Sequence, residues 1–419
     1  MRLAPSGSSC RRGVADRVWP ALLLVAVASA RADEPRGLHR PDGRPRVFVH
    51  VMPWFEAPPT SAQWGWHWTM NHYRPGEEAD GGRSIASHAT PAIGPYDSSD
   101  PDVVEYQTLT MRLAGIDGMI VDWYGRADFR DWPALHRASE GLLAGAERAG
   151  LAFAVCYEDQ TVTALVEAGR LPAERRVEHV ADELRWLAEG WFRSAAYARV
   201  DGAPLLLSFG HSGLDDDEWS RALDRVGTPL VYLSEHRRRP AAAGAFDWPL
   251  PKEGLAATRA FVERSGDWPR ALPVVFPRFH DIYAEAGVHE SWGRIDDADG
   301  ATFRESLAVA LAAEREMVQV ATWNDWGEGT QIEPSVEYGS RDLAVLQARR
   351  RRLDPSFPWE PADLVLGARL LAARRAGGDT ATLDRAAAAI VADDPASARR
   401  LLGTGGDRAS DAEERPDRL

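Results

Sequence analysis

Eight short apolar runs recur along this chain, and helix-like patterns fill most of the intervals between them. The runs lie at 47–51, 118–122, 152–157, 204–209, 229–234, 245–248, 273–276 and 317–322. Each is rich in Val, Ile, Leu or Ala, with little polar alternation, as expected of strands buried on both faces. Strands of that kind form parallel sheets, and parallel neighbours must be joined by crossovers that are usually helices. Helices are predicted over 102–114, 175–196 and 303–314. The first follows Ser98-Ser99-Asp100-Pro101, a helix-start signal. Eight strand-like runs separated by helices, in about 290 residues, predict a (β/α)8 TIM barrel.

A barrel of this type carries its chemistry where the strands end. The first run delivers His50, Trp54 and Glu56 there, and the second Asp122, Trp123 and Tyr124. The third delivers Tyr157, Glu158, Asp159 and Gln160, the fourth His211, and the fifth Glu235 and His236. The seventh offers Arg278, His280, Asp281 and Tyr283. The eighth leads into the densest stretch, residues 322–334, which read Thr-Trp-Asn-Asp-Trp-Gly-Glu-Gly-Thr-Gln-Ile-Glu-Pro. Within it, Asp325 and Glu328 are close enough to serve one site. Paired carboxylates in unlike environments are the usual equipment for cleaving a glycosidic bond. The indoles of Trp323 and Trp326 suit the apolar C–H faces of sugar rings. A lone carboxylate here would read as a turn cap, and a lone tryptophan as core. The density of groups favours an active site, with Asn324 and Trp326 as substrate contacts beside Asp325 and Glu328.

The long connection 53–100 has little periodicity but holds Trp54, Trp64, Trp66, His67, Trp68, His72 and Tyr73. A loop of that length within a domain is usually functional or disordered, and its aromatic content argues against disorder. It is predicted to lie over the active face. Metal binding is the main chemical competitor, but no His-x-His or His-Glu-x-x-His spacing occurs, so no metal or cofactor is expected. No Gly-x-Ser-x-Gly elbow, phosphate loop or dinucleotide fingerprint is present.

The stretch 324–334 also resembles the signature of glycoside hydrolase family 99, the endo-α-mannosidases and endomannanases. The related family 71 α-glucanases and bacterial family 71/99-like proteins are close in pattern. Family 99 carries Glu where this chain has Asp325. Residues 93–101, Ile-Gly-Pro-Tyr-Asp-Ser-Ser-Asp-Pro, are similar to a second family stretch, as is Trp66-His67-Trp68. The resemblance spans about residues 46–340. It implies the same barrel and an endo-acting, retaining attack on α-linked, mannan-like glycans without a cofactor. The position matching the family's general acid and base is Glu328. The position matching the group that deprotonates the sugar 2-hydroxyl is Asp325, one methylene shorter. Beyond these two, the expected substrate contacts are Trp54, Trp66, His67, Trp68, Asp122, Trp123, Tyr124, Tyr157, Glu158, Arg278, Tyr283, Asn324 and Trp326. A water held by Asp325 would instead give an inverting α-glycanase. A glycan-binding chain without turnover, and an interaction protein built on the C-terminal helices, also stay open.

Outside the barrel the composition changes. Arg11, Arg12 and Arg17 precede an apolar run at 18–28 and then Ala30-Arg31-Ala32. This has the three parts of a secretory signal peptide, so 1–32 are read as a signal cleaved after Ala32, with 33–45 as a linker. Export to the periplasm or the medium follows. No later run is long enough to span a membrane. The formal charge is −14. Residues 1–32 carry five arginines and one aspartate, leaving about −18 for the rest, which argues against nucleic acid or anionic membranes as partners. The expected partner is an oligo- or polysaccharide. Of the two cysteines, Cys10 falls in the signal, and Cys156 reads as a buried small hydrophobe. The barrel is assigned to 46–360. Residues 361–403, rich in Ala, Leu and Arg, predict a small helical appendage of two patterns broken at Gly377-Gly378, with a disordered tail at 404–419.

Overall fold

A computed structural model describes residues 43–77 and 84–403. The predicted signal at 1–32, most of the linker and the tail at 404–419 lie outside the described residues. Eight parallel strands close a barrel. They are β1 (Arg46–Val51), β2 (Gly118–Trp123), β3 (Ala152–Glu158), β4 (Ala203–Phe209), β5 (Val231–Glu235), β6 (Gly244–Phe246), β7 (Arg270–Leu272 with Val274–Val275) and β8 (Met317–Val320). Pairing runs β1 to β2 to β3 to β4 to β5 to β6 to β7, and β8 pairs with both β1 and β7. The seventh strand is split at Pro273. Its first half pairs with β6, its second with β8, and the Pro273 carbonyl accepts the Gln319 N–H. Proline has no N–H to give a ladder, so it sits where the strand changes neighbours. The sixth strand starts one residue and ends two residues earlier than the run at 245–248 suggests, and Trp248 falls beyond its end.

The strands sort their side chains by alternation. Val49, Met119, Val121, Val155 and Val318 join a cluster between sheet and helices. Phe48, Ile120, Ala154, Leu205, Leu207 and Phe246 fill the barrel interior. Every residue of β2 and β3 is buried, which explains why their runs show no polar alternation.

Helices α1 (Pro101–Leu113), α2 (Trp132–Ala149), α3 (Gln160–Glu167), α4 (Arg176–Glu189), α5 (Asp216–Asp224), α6 (Leu255–Arg264) and α7 (Ala301–Ala312) occupy intervals between strands, and α8 (Arg341–Leu353) follows β8. Asp100 caps α1 by accepting the Asp102 N–H at 2.9 Å, with Pro101 as the first helical residue. After a short turn come α9 (Leu366–Arg375), α10 (Thr380–Val391) and α11 (Pro395–Leu402). The chain turns at Gly377-Gly378, and Asp379 caps α10 through the Thr382 N–H at 2.9 Å. The second pattern is itself divided, at Asp393-Asp394. These helices pack on α1, and their buried Leu366, Leu370, Leu383 and Ile390 belong to the outer apolar cluster of the barrel. Arg374 holds Glu105 of α1 at 2.6 and 2.9 Å. No helix among the described residues is long and apolar enough to cross a membrane.

Candidate active site

A cleft of about 1070 Å³ opens at the C-terminal ends of the strands. Its walls include Trp54 and Trp66 from the loop after β1, Asp122 and Tyr124 after β2, and Glu158 at the end of β3. Tyr283 comes from the loop after β7, and Asp325 and Glu328 from the loop after β8. Eight of the fifteen residues expected from the sequence therefore share one cavity.

The turn after β8 is held by its own side chains. Asn324 accepts the Met52 N–H at 2.8 Å and donates to the Met52 carbonyl at 2.9 Å, fastening the turn to the end of β1. The Asp325 N–H donates to Thr322 Oγ1 at 2.7 Å, and the Glu328 N–H donates to Asp325 Oδ1 at 2.9 Å. Gly329 has φ near 70°, and a Cβ there would lie 2.7 Å from the His280 carbonyl oxygen. Only glycine suits both the left-handed backbone and that approach. The Tyr96 hydroxyl gathers the elements. It donates to Glu333 at 2.6 Å and receives Asn324 at 3.1 Å and Trp326 at 3.3 Å. Asp97 accepts the Ala57 N–H at 3.0 Å, and Ser98 Oγ accepts the Phe55 N–H at 3.1 Å. Residues 93–101 thus brace the loop that walls the cleft.

The seven remaining expected contacts stand elsewhere. Trp123 and Tyr157 face outward, because they neighbour the inward Asp122 and Glu158 on their strands. Trp123 donates to His136 Nδ1 at 3.1 Å in the layer between sheet and helices, and Tyr157 packs beside it. Trp68 is buried and donates to the Tyr96 carbonyl at 2.7 Å. His67 stacks behind Trp54, with ring centres 4.2 Å apart and planes at 6°. Arg278 is buried, donating to Asp297, Asp342 and the Gln331 carbonyl, with its guanidinium 3.6 Å over the Tyr338 ring. Asn324 and Trp326 hold the turn and do not line the cleft. These seven support the cavity and do not form its surface.

The cleft also presents residues that no motif marked. Glu235 ends β5, buried, and accepts the Gly210 N–H at 3.0 Å. His236 sits between Glu235 and Asp247, at 3.4 and 3.3 Å. Trp248 packs its edge on His50, and Phe209 on Trp248. Trp292, more than half exposed, stands at the rim. Glu235 and His236 were visible as strand-end polar groups. Phe209 and Trp248 had no signal beyond ending an apolar run, and Trp292 had none.

The electrostatics separate the carboxyls. Burial raises Glu328 well above the usual carboxyl range, and the nearby charges of Asp325, Asp281 and Glu235 add to it. Burial also raises Asp325, but only to about 6, because the N–H groups of Glu328 and Gly327 stabilise its anion. Asp122 is raised by burial and then by Asp325, and Glu158 by burial and then by Asp122 and Glu235. The arrangement therefore sets Asp325, whose anion two backbone amides support, beside carboxyls whose burial and neighbouring charges make them hold their protons more tightly. That pairing supplies a base and an acid within one turn.

No family model matches the chain. Curated relatives named glycoprotein endo-alpha-1,2-mannosidase-like protein, from Danio rerio and Mus musculus, are each 22% identical over 285 residues, or 60% of this chain. The chain spans about three fifths of the length of these relatives, 60% and 59%. A solved GH99 endo-alpha-mannosidase from Bacteroides thetaiotaomicron superposes with a TM-score of 0.57 at 16% identity, covering 74% of this chain and 99% of that one. The fold is that of the family 99 barrel, and the resemblance read from the eighth-strand motif is borne out by both kinds of relative.

Proposed function

We propose that this chain is an endo-acting glycoside hydrolase for α-linked, mannan-like glycans, exported after removal of residues 1–32. The observation that carries the proposal is the pair Asp325 and Glu328 on one turn of the cleft wall, with their proton affinities pushed apart. The names of the relatives support the same substrate class.

In this reading Asp325 takes the proton of the sugar 2-hydroxyl. The freed oxygen attacks the anomeric carbon, while Glu328 gives its proton to the leaving glycosidic oxygen. A 1,2-anhydro sugar results. Glu328, now ionised, takes a proton from water, which attacks the anomeric carbon. The ring-opening oxygen recovers its proton from Asp325. Each carboxyl ends as it began, and the configuration is retained. The amides of Gly327 and Glu328 hold Asp325 in its basic form. Asp122 and Glu158, whose burial favours the protonated form, would donate to sugar hydroxyls, and Trp54 and Trp66 offer faces for the rings.

Incubation with a panel of α-mannans and α-glucans, with products sized and their first-formed anomer read by NMR, tests this. Release of internal oligosaccharides with retained configuration is expected. Inverted product would assign Asp325 to a water. Binding without cleavage would leave a glycan-binding chain. Export is tested by sequencing the N-terminus of protein recovered outside the cytoplasm, which should begin at Asp33.

A further inference from the structure

The base of the cleft holds side chains for which the proposed reaction has no task. His50 of β1 and Cys156 of β3 face inward on either side of Asp122 of β2. An imidazole nitrogen, a carboxylate oxygen and the thiol sulfur from these three lie within 4.8 Å of one another. All three residues are buried, at 1%, 4% and 0% exposure. The ring nitrogens of His50 have no partner in good hydrogen-bond geometry, although the Gln319 side chain interacts with the ring, and Asp122 Oδ1 has no partner. Buried polar atoms without partners are rare in native proteins, and each calls for a reason.

We propose that His50, Asp122 and Cys156 form a binding site for a thiophilic divalent cation of the zinc class, and that its occupation blocks the glycan cleft. The donor set selects the ion. Imidazole, thiolate and carboxylate suit Zn²⁺ and its neighbours, whereas Mg²⁺ and Ca²⁺ require oxygen ligands. On binding, the S–H and any proton on Asp122 are released to solvent as the sulfur–metal and oxygen–metal bonds form. Two anionic ligands then balance the ion's charge. Tetrahedral zinc places ligand atoms about 3.3–3.7 Å apart, so the donors close by about 1 Å from their outer separation. His50 and Asp122 both line the cleft, which gives the ion its entry and leaves a fourth position facing the sugar.

The blockade rests on the hydrolase reading, since it works by withdrawing Asp122 and crowding Asp325. The site itself does not rest on it. Co²⁺ titrated into the full-length protein is the direct probe. We expect saturable 1:1 binding, proton release, and a near-ultraviolet sulfur-to-cobalt charge-transfer band that Zn²⁺ displaces and Mg²⁺ does not. Cys156→Ala should lose the band although Cys10 remains. His50→Ala should keep the melting temperature within a few degrees and loosen Co²⁺ at least tenfold. No saturable binding, or a band that survives in Cys156→Ala, would overturn the site. Zn²⁺ should also inhibit glycan cleavage, and Cys156→Ala should raise the inhibitory concentration at least tenfold. A charge-transfer band together with unchanged cleavage would overturn the blockade. A protein that cleaves no glycan but shows the band would refute the hydrolase reading and keep the site.

Discussion

At the residue scale the decisive contrast is between two carboxyls three positions apart. Asp325 spends Oδ1 on the Glu328 amide, while no such donor stabilises Glu328 as an anion. Glu328→Gln should lower polymer cleavage about 10²- to 10⁴-fold and spare activated aryl or fluoride substrates more, because these need no proton on the leaving group. Asp325→Asn should lose both. Wild-type activity should fall as the pH drops through about 6, where Asp325 takes up its proton. It should fall again at higher pH as Glu328 gives its proton up. Asp325→Glu restores the residue typical of family 99. The longer side chain carries the carboxylate roughly 1–1.5 Å past the amides that hold it, a displacement that can change rates about 100-fold. Higher activity on α-mannosides would mean that the 2-hydroxyl is the nucleophile. Lower activity, with inverted product in the wild type, would mean that Asp325 positions water. Much of this was legible, since the turn lies within one stretch of sequence. What could not be read was the direction of each side chain. Asp122 and Trp123, like Tyr157 and Glu158, are adjacent polar or aromatic residues at a strand end. One residue of register decides which enters the cleft, and the all-buried strands carry no alternation to announce it.

At the element scale, the loop after β1 works in two layers. Trp66 lies on the cleft surface at 36% exposure, while Trp68 is fully buried against Phe55, Tyr96 and Trp326. Trp66→Ala should weaken oligosaccharide binding by about 1 kcal/mol, roughly fivefold, with melting unchanged. Trp68→Ala should cost about 3–5 kcal/mol of stability. Equal melting temperatures in the two variants would contradict this layering. Glu333 is the second joint, linking the β8 turn to Tyr96 and to Gln107 of α1. Burial raises its pKa to about 8, against an ordinary value near 4. The folded protein therefore binds a proton there that the unfolded chain releases, and this contribution is full at low pH. It declines as the pH rises from about 4 to about 8 and is flat beyond. Glu333→Gln keeps the shape without the titration. It should melt higher than wild type at pH 9, on the order of 5 °C, with a smaller difference at pH 6. Parallel melting curves for both proteins across that range would remove Glu333 from the account. The elements themselves were legible wherever an apolar run was long. The seventh strand was harder to read, because Pro273 divides it between two neighbours and leaves each half very short.

At the scale of the whole molecule, the C-terminal helices are continuous with the barrel. The composition change at residue 361 suggests an appendage, and composition alone does not say whether such helices pack on the barrel or bind a partner. The answer lies in the partner face, α1, whose outer side meets α9 so closely that a Cβ on Gly367 would fall 2.4 Å from Thr110 Oγ1. Leu366, Leu370, Leu371, Leu383 and Ile390 are buried there. At about 1.5–3 kcal/mol for each such side chain, their burial is worth on the order of 10 kcal/mol, comparable with the whole stability of a typical domain. A chain ending at Glu360 should therefore be recovered insoluble, or melt more than about 10 °C lower. Gly367→Val offers a test that keeps every residue of the helices. A wedge at that contact should cost about 1–3 kcal/mol by overpacking, lower the melting temperature by a few degrees, and leave glycan affinity unaltered because the cleft lies at the strand ends. Were the helices instead a docking module for another protein, the shortened chain would melt and bind glycan like the intact one, and Gly367→Val would be silent in both.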